Sequence, residues 1–171
     1  MAKIFVVVRT TGEETLDECL RALKYRDIPY TVLRDYKPLE KASKETIKIG
    51  AEKFKQGYDW VLAVDADVVM TMNREELEKY CDKHDKKFPE KWFCFCGYLH
   101  CTKRGLISGL HFFRTSECQK AYDLVKDVDF QWHKGREEYE ICCYLRENHK
   151  MWWCSGYKEL AMGVHYFNVN N

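Results

Sequence analysis

The sequence predicts an α/β fold, a single compact domain spanning residues 1–171 with a mostly parallel central sheet and helices on both of its faces. Three observations carry that expectation. Residues 4–8 (Ile-Phe-Val-Val-Val) and 60–64 (Trp-Val-Leu-Ala-Val) are continuous apolar runs, the pattern of strands buried on both faces. Two amphipathic helical stripes and one further short strand lie between them, giving the order β-α-β-α-β. Strands in that order pair parallel, through right-handed crossovers. The third observation is that two carboxylates, Asp65 and Asp67, stand directly after the second apolar run, at the strand end where open α/β sheets bind ligands.

Bulk properties narrow the class. With 171 residues the chain is long enough for a real core, and it has the length of a small protein or of one domain in a longer one. Apolar residues make up 46% and aromatics 15%, which excludes a disordered chain. The net charge is +1, from 28 basic and 27 acidic residues, so no basic excess points to nucleic acid. Nine cysteines, an odd number without a Cys-x-x-Cys pair, suggest a reduced, cytoplasmic setting. Cys94, Cys96, His100 and Cys101 have the spacing of neither a zinc finger nor a zinc ribbon. The first strand begins at once, without room for a signal peptide, and no apolar run reaches the length of a membrane span.

In chain order, the strand over residues 4–8 ends at Thr10-Thr11-Gly12, and Thr11 with Glu14 is spaced as a capping box. Leu16, Cys19, Leu20 and Leu23 then form one helical face. Pro29 resets the chain before a short strand over 30–33, which ends in Arg34-Asp35. Ser43 reads as the N-cap of a helix whose inner face is Ile47, Gly50, Ala51 and Phe54, and Gly57 stops it.

Beyond the acid pair, Asn73 and Glu76 make a second capping box for a helix carrying Leu77, Tyr80, Cys81 and His84. Residues 92–99 and 107–113 are strand-like and pair as a hairpin across Lys103-Arg104-Gly105. Gly109, inside the second of these, implies close approach of another group to the backbone. Ser116 reads as the cap of a helix with Cys118, Ala121, Tyr122 and Val125 on its inner face. The last helix spans about 136–148. Its stripe is Glu138, Ile141, Cys142 and Leu145, which puts a carboxylate in line with the buried face at the first turn. Short apolar runs at 151–154 and 161–167 follow, the second containing His165.

Two acids flanked by apolar sequence are costly to bury without compensation, and a divalent cation held by hard oxygen ligands supplies it. Asp65-Ala66-Asp67 therefore reads first as a metal-binding pair.

An ordered set of segments resembles the GT-A-type glycosyltransferases, in particular family-2-like enzymes that use a sugar nucleotide. The set is Lys41-Ala42-Ser43 through Ile49-Gly50-Ala51 to Asp65-Ala66-Asp67, then Ser108-Gly109-Leu110-His111, then Arg136-Glu137-Glu138, then Gly163-Val164-His165-Tyr166. The resemblance implies a GT-A-like fold and transfer of a sugar from a nucleoside-diphosphate sugar to a hydroxyl of a glycan or other acceptor. It implies Mn²⁺ (or Mg²⁺) as cofactor, with Asp67 a direct ligand, Asp65 on the metal or the ribose, and His165 a further ligand. Arg9, Thr10 and Asp35 would hold the nucleoside, and Gly109 would lie near the donor sugar. Glu138, with Glu137 as second choice, would be the general base of an inverting enzyme. In a retaining enzyme Glu138 would instead bind sugar or acceptor hydroxyls.

That assignment requires His165 beside Asp67 and Glu138 facing the same cleft. Trp132, Trp152 and Trp153 are candidate surfaces for sugar stacking. Two other readings compete. Asp65-Ala66-Asp67 after an apolar strand also fits a haloacid-dehalogenase-like phosphatase, with Asp65 as nucleophile and Asp67 as acid/base. A non-catalytic domain that only binds a nucleotide sugar is the other.

Overall fold

The computed structural model of the chain describes residues 1–35, 39–87, 92–101, 104–130, 137–155 and 160–166. The first half follows the expected alternation. Strand β1 (Ile4–Thr10) leads through helix α1 (Leu16–Tyr25) to β2 (Tyr30–Arg34), and α2 (Leu39–Phe54) leads to β3 (Trp60–Asp65). Both β2 and β3 pair with β1 in parallel, one on each side.

The second half makes the sheet mixed. A short strand β4 (Val68–Met70) and helix α3 (Arg74–Lys87) precede the hairpin of β5 (Trp92–Cys101) and β6 (Gly105–Arg114). Helix α4 (Thr115–Val125), helix α5 (Glu137–His149), and strands β7 (Trp152–Ser155) and β8 (Ala161–His165) complete the order. β6 runs antiparallel to β3 and to β5, while β7 and β8 both lie parallel to β5 on its other side. β4 is then added antiparallel to β8, so the sheet reads β2-β1-β3-β6-β5-β8-β4, with β7 on β5 beside that path.

Strand periodicity sorts the side chains into two cores. Ile4, Val6, Val8, Trp60, Leu62 and Val64 face α1 and α3, where they meet Leu23, Leu77 and Cys81. Phe5, Val7, Val61 and Ala63 face α2, α4 and α5, where they meet Ile47, Ala121, Ile141 and Leu145. At the closest point between α2 and α4, a Cβ built on Gly50 would lie 2.5 Å from Cys118 Sγ, so the small residue lets the two helices touch.

Local signals were partly displaced. Asn73 and Glu76 form the expected reciprocal box: Glu76 N–H donates to Asn73 Oδ1 (3.0 Å) and Asn73 N–H to Glu76 Oε2 (2.7 Å). The first helix does not use Thr11 and Glu14. It starts at Leu16 with Thr15 in the cap position, and Thr15 Oγ1 donates instead to Ala66 O across the sheet end (2.9 Å). Ser43 is no N-cap either: α2 begins four residues earlier, at Leu39, leaving Ser43 inside the helix on its buried face.

Candidate functional site

Residue alternation decides which groups reach the end of the parallel strands. Continuing the row Phe5, Val7 places Arg9 on the α2/α5 face, and continuing Val61, Ala63 places Asp65 beside it, since Arg9 and Asp65 are partners in the β1–β3 register. Arg9 donates to Asp65 Oδ1 from Nε (2.9 Å) and from Nη2 (2.6 Å). On the other side its Nη1 is ion-paired with Glu138 Oε1 and donates to Ser43 Oγ (3.2 Å). The Ser43 hydroxyl in turn donates to Glu138 Oε1 (2.8 Å). Arg9, Ser43 and Glu138 are all buried. A guanidinium buried here is tolerable because each end of its fork meets a carboxylate.

This network changes the picture of Glu138. The side chain does face inward from the first turn of α5, as its helical stripe requires. Its Oε1 is occupied by Arg9 and Ser43. Glu137 opens the same helix, and its side chain lies outside the described residues.

Asp67 belongs to a separate arm of the site. The chain turns at Ala66 and Asp67 between β3 and β4, and both are fixed by backbone hydrogen bonds. Ala66 N–H donates to Arg9 O (3.0 Å), and Tyr166 N–H donates to Asp67 O (2.8 Å). Because Val68 is the register partner of His165, the imidazole arrives next to the carboxylate, with Nε2 3.2 Å from Asp67 Oδ2. The hydrogen bond to Asp67 raises the His165 pKa, burial opposes the rise, and the charges of Asp67 and Asp65 add to it. Asp67 Oδ1 is buried, and among the described residues no group donates a hydrogen bond to it.

An orphaned buried carboxylate oxygen is costly, and a cation relieves that cost. Asp67 and His165 fit a divalent ion, and an oxygen–imidazole donor pair suits Mn²⁺ better than Mg²⁺. Among the described residues no group of three His, Cys, Asp or Glu side chains converges as a complete metal site would. The remaining coordination positions would thus belong to substrate oxygens and water. Asp65 has its Oδ1 engaged by Arg9, which suits it to orienting more than to ligating.

The other expected residues lie around the same strand ends. Thr10 closes a tight loop with Glu13: Thr10 Oγ1 donates to Glu13 Oε2 (2.5 Å), and Thr11 donates to the same carboxylate through N–H and Oγ1 (2.9 Å each). Burial pushes the Glu13 pKa up, but the hydrogen bonds from Thr10, Thr11 and the backbone outweigh it and leave the value lowered. Asp35 follows β2, exposed and at φ +61°, next to Arg34, which is the register partner of Thr10. Gly109 sits where the β5–β6 register slips, and a Cβ there would lie 2.8 Å from Leu99 Cδ1. The group that approaches this glycine is therefore Leu99, and the β3–β6 ladder ends at Ala63–His111, before Gly109 is reached.

Of the aromatic candidates, Trp152 is exposed, Trp153 packs edge-on against Tyr139 (5.4 Å between ring centroids), and Trp132 lies outside the described residues. A surface hollow of about 440 Å³ lined by Arg26, Asp27, Asn73 and Arg74 is at the opposite end of the parallel strands, away from this chemistry.

Ser43 and Glu13 are the two participants that sequence reasoning missed. Ser43 shares the buried side of α2 with a second hydroxyl, that of Thr46, which donates to Ala42 O, so a buried hydroxyl alone does not single Ser43 out. Glu13 lacks the i,i+3 spacing from Thr11 that marks Glu14, and it pairs with Thr10 and Thr11 through a tight loop instead.

No family model matches the chain, and no curated protein sequence matches it. Solved structures do share its fold. The STIV protein A197 superposes with a TM-score of 0.63 at 18% identity, over 97% of this chain and 86% of that one. A glycosyltransferase involved in glycosylation of the major capsid of PBCV-1 gives 0.55 at 11% identity, over 95% and 93%. A cytidylyltransferase from Leptospira borgpetersenii gives 0.50 at 13% identity, over 96% and 81%. The chain thus has an α/β fold shared with a glycosyltransferase and a cytidylyltransferase.

Proposed function

We propose that the protein is a glycosyltransferase that moves a sugar from a nucleoside-diphosphate sugar to an acceptor hydroxyl, with a divalent cation at Asp67 and His165. The observation that supports this reading is the pairing of those two side chains at the end of the sheet where α/β folds bind ligands, with Asp67 Oδ1 buried and unpartnered among the described residues. When bound, the cation would supply Lewis-acid stabilisation of the charge that grows on a departing diphosphate.

The chain's own residues do the rest. Ala66 and Asp67 are fixed by backbone contacts to β1 and to Tyr166, so the carboxylate is held in place before any ligand arrives. Asp65, steadied by Arg9, keeps its outer face for a ribose hydroxyl. The Thr10–Glu13 loop and Asp35 border the space for the nucleoside. Glu138 acts through Arg9 as a positioning residue.

The phosphatase alternative needs Asp65 as a nucleophile, yet two hydrogen bonds from Arg9 end on its Oδ1. The geometry supports the transferase over it. The test is thermal stability with Mn²⁺ and each nucleoside diphosphate. A specific base should raise the melting temperature only when Mn²⁺ is present, and Asp67→Ala should abolish the rise. If no diphosphate shifts the melt, the assignment fails. If binding survives but no sugar nucleotide is turned over, the domain only binds.

A further inference from the structure

The second half of the sheet carries an apolar strip that belongs to neither core. Register puts Leu106 of β6 opposite His100 of β5, His100 opposite Val164 of β8, and Val164 opposite Val69 of β4. Residues directly opposite share a face, so these four side chains form one row. Their neighbours along the strands, Val68, Met70, Leu99 and Ile107, point the other way and pack into the core with α1 and α3. The row itself is left open. Leu106 keeps 44% of its surface, His100 is exposed, and Val69 and Val164 are half-buried. None of the four is among the described residues of either core. The adjacent row on that face, Ser108, Tyr98 and Ala161, adds hydroxyls and no charge.

Aliphatic side chains gain free energy when they leave water, and a contiguous exposed set of them marks a binding surface. This row holds no carboxylate, ammonium or guanidinium group, so it offers nothing to an ion. Leu106, Val164 and Val69 present methyl groups and no aromatic ring, which matches a hydrocarbon chain better than the face of a sugar.

Position says whose chain it is. The Val69–Val164 pair is the rung next to Val68–His165, about 3.3 Å along the strands from the imidazole that meets Asp67. Tyr166, 40% exposed, donates its N–H to Asp67 O at the same place (2.8 Å). Arg9, Thr10 and Asp35, the residues proposed for the nucleoside, belong to the ends of β1 and β2, at the opposite end of the strand order from β8 and β4. The row therefore lies on the side left for the acceptor.

Resting on the transferase reading above, we propose that Val69, Val164, His100 and Leu106 bind a neutral hydrocarbon chain carried by the acceptor, whose hydroxyl then lies at Asp67 and His165. The chain runs from that pair across β8 and β5 to Leu106 beside the hairpin turn, over three strand spacings, or about 14 Å.

The experiment titrates the folded protein with hexyl, heptyl and octyl β-glucoside, each below its micelle concentration, and follows valine and leucine methyl signals by NMR. Methyl β-glucoside is the control. The methyls of Val69, Val164 and Leu106 should shift together with the alkyl glucosides and stay still with methyl glucoside. A row that covers one side of a chain captures about half of the usual transfer, so affinity should rise about twofold for each methylene added. Leu106→Ser should weaken octyl glucoside binding several-fold with an unchanged melt, because that side chain supports neither core. Methyls that ignore the alkyl series, or an affinity flat with chain length, overturn the proposal. An equal response to methyl glucoside overturns it too, since the head group is then what binds. Should Leu106→Ser fail to fold, the chain-length series on the unaltered protein decides. Melts with Mn²⁺ and diphosphate report separately on the transferase reading. If they fail while the alkyl series succeeds, the row keeps its chain-binding role and its assignment to an acceptor falls.

Discussion

His165 Nε2 stands 3.2 Å from Asp67 Oδ2 because β8 pairs with β4 and not with the parallel half of the sheet. That pairing depends on a missing side chain. A Cβ on Gly163 would lie 2.8 Å from the backbone oxygen of Val69, which cannot move aside as a side chain can. Gly163→Ala should therefore spread β8 from β4 and separate His165 from Asp67. The expected result is loss of Mn²⁺-dependent stabilisation greater than the accompanying drop in stability, of about 1–3 kcal/mol, measured by melts with and without the metal.

Removal of the proposed ligand itself should act more sharply. Perturbing outer partners of metal ligands typically costs about 10–100-fold in affinity or activity, so Asp67→Ala should lower Mn²⁺-dependent cleavage of the sugar nucleotide by at least about 100-fold. Single-turnover assays across a Mn²⁺ titration check it. A variant that still responds to the metal would place the cation elsewhere.

Arg9 predicts a stability effect. Replacing it by Met leaves the buried Glu138 carboxylate without its cation, which costs about 3–5 kcal/mol in comparable pairs. The double variant Arg9→Met with Glu138→Met removes the uncompensated charge and should recover part of that loss in urea titrations. Glu138→Gln separates two roles. A positioning residue gives a higher KM for the donor and a less stable fold, while a general base would lower kcat by about 10²–10⁴-fold with KM unchanged.

His84 predicts the acid limb of stability. Its ring is stacked on Phe95 at 3.9 Å between centroids and lies against Cys154 Sγ (3.1 Å from Nε2). Burial lowers its pKa to about 4, with Arg114 and Lys87 adding to the effect. The unfolded chain thus binds a proton that the folded one refuses, and the stability present above the ordinary value of 6.5 falls as pH drops toward 4. His84→Phe should flatten urea midpoints across that window.

Gly50 offers a purely structural check. Its built Cβ would lie 2.9 Å from Val61 Cγ1 as well as against Cys118, so Gly50→Ala should destabilise by about 1–3 kcal/mol despite the better helix propensity of alanine.

The first half of the fold was legible because each signal there is local. Apolar runs marked β1 and β3, and two crossovers fixed their parallel pairing. The hairpin of β5 and β6 was legible from its turn. What periodicity could not show was where those strands attach: β6 enters antiparallel at β3, and β5 receives two later strands on one edge, which makes the sheet mixed. The site followed the same division. Asp65 and Asp67 could be found from their place after a strand. The grip of Arg9 on Asp65 needed the register between two strands, and the contact of Ser43 with Glu138 needed the packing of α2 against α5. No single-segment pattern contains either.

The β4–β8 pairing also bears on how the protein matures. Val68 and His165 are roughly a hundred residues apart in the chain, and loops of that length close slowly compared with local helices and hairpins. A folding chain can assemble β1–β3 and the β5–β6 hairpin while Asp67 still lacks its imidazole. In refolding experiments, tryptophan burial at Trp60 should return before Mn²⁺ binding does. The protein would pass through a shape that is nearly native yet chemically silent, and the docking of one five-residue strand would switch it on.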